Sequence, residues 1–155
     1  YMLVNGDAVE PQSTIKKMTD NIGKADMILT YFPGKNDKRS FGRRILSKIF
    51  VILVNLITFN NLKYYNGPAI HLLENVKLYI GKGSGFGYQA ELITEQVRQK
   101  KTYIEIELYP YFKPNHLESL KSLTFINASS VIGSIISIFL NQIIYVAKKL
   151  INLKK

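Results

Sequence analysis

The sequence predicts an α/β fold, a parallel sheet of Rossmann-like βαβ rhythm with amphipathic helices that suit a membrane interface. Three observations carry that expectation. Short apolar runs of strand length alternate with segments of helical period. Glycine-containing turns punctuate them, NGP at Asn66 to Pro68 and KGSGFG at Lys82 to Gly87. Two long uncharged stretches each border a cluster of basic residues, Lys35 to Lys48 before the first and Lys148 to Lys155 after the second.

Taken in order, Tyr1 to Val4 reads as a buried strand running into Asn5-Gly6-Asp7. Pro11 stands where a helix can begin, and Gln12 to Ile22 carries Ile15, Met18 and Ile22 before stopping at Gly23. Asp26 to Phe32 is a second apolar strand, so the opening has the βαβ rhythm of a parallel sheet. A basic loop from Pro33 to Gly42 leads into a helix from Arg43 to about Phe59. Its uncharged part, Ile49 to Leu62, is short of the roughly 20 residues a membrane span needs. After the glycine-rich turn, Tyr88 to Lys100 is a helix with Ala90, Ile93 and Val97 on one face. Tyr103, Glu105 and Glu107 alternate with Ile104, Ile106 and Leu108, as in a half-exposed strand. Ser122 to Ala147 contains no charge and is long enough to span a bilayer. Ser130, Ser134, Ser137 and Asn141 nevertheless form a polar stripe, opposite Val131, Ile132, Ile135, Ile136, Phe139, Leu140 and Ile143. That pattern with terminal lysines fits an interfacial or core-docked helix better than a lone span. Residues 1–121 are therefore read as one domain and residues 122–155 as an amphipathic C-terminal helix.

The chain has 155 residues, 46% hydrophobic, no cysteine and two histidines. Disulfides and thiolate metal sites are excluded, a multi-histidine zinc centre is disfavoured, and a reducing compartment fits. The N-terminus has no basic segment ahead of an apolar core, so no secretory signal is read there. The net charge of +10 points to an anionic partner: a phosphate ligand, nucleic acid or an acidic membrane surface. Ten tyrosines and eight phenylalanines are scattered through strands and helices, which suits core packing rather than base stacking, and nucleic acid is not expected as a partner.

Asp7 follows a strand, where a carboxylate beside a diphosphate would hold Mg²⁺ or Mn²⁺ through oxygen. Taken alone, Asn5-Gly6-Asp7 is an ordinary turn. Arg43 and Arg44 open a helix, whose free N–H groups and dipole suit a phosphate; a solvated basic face is the equal alternative. Glu91 is a base or a structural partner, and Glu105 and Glu107 are the wet side of a strand. His71 and His116 are read as structural or surface residues.

These segments, in this order, resemble the C-terminal part of family 2 glycosyltransferases, the GT-A branch that includes dolichol-phosphate mannose synthases and bacterial polyprenyl-phosphate sugar transferases. The resemblance runs over nearly the whole chain, through Asn5-Gly6-Asp7, ADMILTYF, RRILS, YYNGP, GFGYQAEL and YIEIELYPYF. It implies that Asn5 and Asp7 occupy the family's D-x-D motif, which holds the divalent cation and the sugar diphosphate. Arg43 and Ser47 fall on its R-x-x-x-S motif for a lipid phosphate, Glu91 on the glutamate after G-F, and Lys113 on the basic residue after the strand that ends near Pro110. ESLKSL, Glu118 to Leu123, falls on the segment before the membrane-facing helix. Asn5 replaces the first aspartate, Thr30-Tyr31-Phe32 replaces a G-S-R, Lys63 replaces an aspartate and Glu107 a proline.

What the resemblance implies is a hexosyltransferase: transfer of a sugar from a nucleotide-sugar to an acceptor, a polyprenyl or dolichyl phosphate, at the cytoplasmic face of a membrane. Asp7, Arg43 and Glu91 would be its catalytic residues, Asn5, Arg43, Ser47 and Lys113 would bind substrate, and Asp7 and Asn5 would hold Mg²⁺ or Mn²⁺. The family's nucleobase-binding strands precede the D-x-D, so a chain opening one strand before it is expected to be part of a longer protein. The alternative from another class is a non-catalytic basic protein of the membrane surface, derived from the same fold.

Overall fold

The computed structural model describes residues 1–3, 11–33, 41–79, 87–108 and 125–152. In chain order these form β1 (Met2–Leu3), α1 (Gln12–Thr19), β2 (Met27–Tyr31), α2 (Phe41–Thr58), β3 (Ala69–His71), α3 (Leu73–Lys77), α4 (Tyr88–Arg98), β4 (Tyr103–Glu107) and α5 (Phe125–Asn152). The chain is mixed α/β, and its four described strands make one sheet in the order β1-β3-β2-β4.

The expectation of a parallel sheet needs correction. β3 lies between β1 and β2 and is antiparallel to both, with Met2 opposite Ile70 and Ile28 opposite Ile70 on its other side. β2 and β4 pair in parallel from Met27↔Tyr103 to Tyr31↔Glu107. The β1-α1-β2 unit is therefore split by a later strand, and the sheet is mixed. A tripeptide, Ala69-Ile70-His71, has too little length to show a period, and only its two neighbours make it a strand.

Both faces of β2 are covered, which explains why it reads as a continuous apolar run rather than an alternation. Met27 and Leu29, with Ala69, face Phe50 and Val54 of α2, Ala90 and Ile93 of α4, and Ile138 of α5. Ile28 and Ile70 face Met18 of α1, with Met2, Ile104 and Ile106 at the margin. Met27, Ile28 and Leu29 are each at most 1% exposed, and burial of such side chains contributes about 1.5–3 kcal/mol apiece. Ala90 and Ile93 are buried and Val97 packs beside them, as the helical spacing predicts. Ile104 and Ile106 turn to the core and Glu105 and Glu107 to the other face, as the strand alternation predicts.

α5 is amphipathic in an unexpected sense. It packs along α2 and α4. Part of its polar stripe faces the protein: Ser134 is buried and Ser137 bonds to Glu91, with Ile138 and Gln142 buried beside them, whereas Asn141 is exposed. Its apolar stripe divides: Val131 and Ile135 pack against the core, while Ile132, Ile136, Phe139, Leu140 and Ile143, with Ile144 beyond them, are exposed. α2 is apolar on both sides: Phe50 and Val54 turn inward, while Ile45, Leu46, Ile49, Ile52, Leu53 and Leu56 are exposed. A soluble helix normally covers its outer side with polar and charged residues instead.

Candidate functional site

Because β1 and β2 both oppose β3, and β4 runs with β2, the C-terminal ends of β1, β2 and β4 lie along one edge of the sheet. Open α/β sheets bind ligands at this edge. From it the chain enters the segments carrying Asn5 and Asp7, the basic loop before Arg43, and Lys113. Asn5, Asp7 and Lys113 themselves lie outside the described residues, and so does the Arg43 side chain. The Arg43 backbone stands in the first turn of α2, and Ser47 is one turn further along, half-buried. First-turn N–H groups lack intrahelical partners and attract anions.

The described part of the edge is built around the turn before β3. The Thr30 hydroxyl donates to the Pro68 carbonyl at 2.8 Å. Gly67 lies flat on Thr30, where a Cβ would strike both its hydroxyl and its carbonyl oxygen. The Gln89 side-chain amide, in the first turn of α4, donates to the Gly67 carbonyl. α4 therefore reaches the same edge. The Lys63 backbone N–H donates to the Glu105 carboxylate at 2.7 Å, and its ammonium sits 4.2 Å above the Tyr31 ring. Phe32 and Tyr64 meet edge to face at 5.3 Å.

Asn55 of α2 holds this turn in place. Its amide donates to the Leu62 carbonyl at 2.8 Å, and its side-chain oxygen accepts from the Tyr65 hydroxyl at 2.6 Å and the Leu62 N–H at 3.2 Å. Burial pushes the Tyr65 hydroxyl up to about 12, which keeps it a donor at every ordinary pH. Asn55→Ala would strand these partners in a half-buried place, and a stability loss of about 2 kcal/mol is expected in a urea titration. An unchanged midpoint would show that the turn stands without Asn55.

Glu91 lies in the same first turn of α4 but points away from solvent, at 4% exposure. Its carboxylate accepts from the Ser137 hydroxyl of α5 at 3.0 Å and the Tyr79 hydroxyl at 3.3 Å. Burial, and then the Glu91 charge, push the Tyr79 hydroxyl upward, so it too remains a donor. Of the two readings the sequence left open, this geometry matches a structural partner.

His71, at 1% exposure, lies on the far side of the sheet from the edge described above. The sequence shows no partner for it, but its Nδ1 bonds with the Gln96 amide of α4 at 3.1 Å, whereas its Nε2 has no partner among the described residues. Burial lowers its pKa to about 4. Asp26, close by, accepts from the Thr102 N–H at 2.8 Å and its hydroxyl at 2.7 Å, which hold its carboxyl below the usual 3.8. Neither Asn55, Gln89 nor Gln96 was singled out from the sequence; a single amide carries no periodic signal.

Among the described residues no group of three or more metal-ligating side chains comes together. The expected donors, the Asp7 carboxylate and the Asn5 amide oxygen, are of the hard type Mg²⁺ prefers. α5 from Ser129 to Asn152 is long and apolar enough to cross a membrane by length and composition. No family model, curated protein or solved structure matches the chain.

Proposed function

We propose that the chain is the acceptor-side part of a membrane-associated hexosyltransferase that moves a sugar from a nucleotide-sugar to a polyprenyl phosphate. One observation carries the reading. Two adjacent helices, α2 and α5, expose large apolar residues, and the first two turns of α2 bear the R-x-x-x-S pattern of Arg43 and Ser47. An acceptor with a hydrocarbon tail and a phosphate head needs both features side by side. Exposed Arg44 and Lys48 on α2, with Lys148 and Lys149 on α5, suit the anionic headgroups of a cytoplasmic leaflet.

In this reading Arg43 orients the acceptor phosphate, aided by Ser47 and Lys113, so that its oxygen meets C1 of the sugar. A phosphate acceptor is already anionic and needs no general base, which agrees with a Glu91 engaged elsewhere. Mg²⁺ or Mn²⁺ on Asp7 and Asn5 would neutralise the leaving diphosphate.

The test uses phosphatidylcholine vesicles with and without polyprenyl phosphate. Vesicles with the lipid phosphate are expected to bind the chain at least about tenfold more tightly, with Arg43→Ala removing most of that preference. Equal binding to both vesicles would overturn the acceptor assignment. Binding to any anionic vesicle, indifferent to Arg43, would favour the non-catalytic membrane-surface protein, a reading the engaged Glu91 also allows.

A further inference from the structure

The residues joining α4 to α5 go beyond anchoring. Gly87 precedes α4 with ordinary helical backbone angles, φ −94 and ψ −7, so its lack of a side chain is not a backbone requirement. It is a matter of space: a Cβ there would collide with the Ser134 side chain of α5. One turn on, Glu91 takes a hydrogen bond from Ser137. Ser134 and Ser137 both lie on the inward side of α5, opposite the exposed apolar residues. At its far end the same turn of α4 grips the candidate site through Gln89 and Gly67. One rigid turn, Gly87 to Glu91, thus touches α5 on one side and the turn at the sheet edge on the other.

We infer that Glu91 is a positioning residue, which couples the seating of α5 on a bilayer to the placement of the first turn of α4 at the sheet edge. The inference rests on the reading that the outer faces of α2 and α5 lie in lipid. With α5 fixed in the interface, Ser137 and Ser134 hold Glu91 and Gly87; with α5 free to shift, the turn and the Gln89 contact with Gly67 loosen. The membrane then orders the site as well as anchoring it. The inward placement of Ser134 and Ser137 is explained at the same time: beside the apolar contacts of Val131, Ile135 and Ile138, a hydrogen bond and a close glycine contact fix the register of α5 on α4.

Amide hydrogen exchange of the full chain tests this, in buffer and on vesicles of equal parts phosphatidylcholine and phosphatidylglycerol. Vesicle binding is expected to slow exchange in the first turn of α4 by about tenfold or more, while β4 changes by less than about twofold. Ser137→Ala leaves the outer face intact, so vesicle affinity is expected to stay within about twofold while most of the slowing in α4 is lost. Gly87→Ala is expected to act likewise, and Ser134→Gly to restore the slowing in the double variant, a coupling that two independent sites would not show. If Gly87→Ala fails to fold, the Ser137→Ala comparison decides alone. Vesicle binding without slowing in α4, or full slowing in Ser137→Ala, overturns the coupling and leaves the membrane reading standing. Absence of vesicle binding overturns both.

Discussion

Ile136→Asp combined with Phe139→Asp is expected to lower partitioning onto vesicles of phosphatidylcholine and phosphatidylglycerol by about a hundredfold or more. Both side chains sit on the outward face of α5, 52% and 50% exposed. Transfer of a large apolar side chain from water to lipid is worth about 1.5–3 kcal/mol, so losing two removes about 3 kcal/mol or more, and each tenfold is 1.4 kcal/mol. In the absence of lipid the same changes fall on solvated surface and are expected to alter folding stability by no more than about 0.5 kcal/mol. The contrast is the diagnostic part. If the double variant unfolds in buffer, the outward face is covered within the protein and the membrane reading fails. If it folds and still binds vesicles as wild type does, the attachment lies elsewhere.

Acidification from pH 7 to pH 4 is expected to cost the fold about 3 kcal/mol through His71 alone. The ring is buried in the sheet, and burial lowers its pKa from 6.5 to about 4. Its contacts agree with this: Nδ1 meets the Gln96 amide, but among the described residues Nε2 has no acceptor for the proton of a charged ring. Between pH 6.5 and 4 the unfolded chain therefore binds a proton that the folded chain refuses, and protonation pulls the equilibrium toward unfolding. The His71 contribution is complete above 6.5 and is lost as pH falls toward 4. His71→Leu should flatten this part of the curve measured by urea titration at a series of pH values, whatever it does to stability at pH 7. A slope that persists in the variant would locate the titrating group elsewhere. Asp26 acts in a lower window: its carboxylate is held below 3.8 by Thr102, so its contribution is present above that value and fades as pH falls beneath it.

The two effects bear on different parts of the molecule. His71 and Asp26 lie by the N-terminal ends of β2 and β4, away from the proposed site, and set the stability of the frame. α2, α5 and the first turn of α4 set where the frame sits and how its working edge is held. Acid sensitivity of the fold and loss of membrane attachment should therefore be separable by mutation.

Wherever local pattern was strong, the sequence by itself determined the element. β2 was legible from DMILTYF, α4 from Ala90, Ile93 and Val97, β4 from the alternation of Ile104 and Ile106 with glutamates, and α5 from an uncharged run too long for anything but a helix. The basic clusters and the R-x-x-x-S pattern at the head of α2 were legible as well, because charge and spacing are properties of the chain. Tertiary structure alone decided that β3 enters between β1 and β2, since pairing of a three-residue strand depends on partners distant in sequence. It alone decided that Ser134 and Ser137 of α5 point inward while Ile136 and Phe139 point outward. An amphipathic sequence defines two faces, but which face meets the protein depends on what that protein offers, here Glu91 and the bare Cα of Gly87. His71 and Gln96 found each other for the same reason: burial and hydrogen bonding are settled by what lies across the fold, and no residue carries that information in its own neighbourhood of the chain.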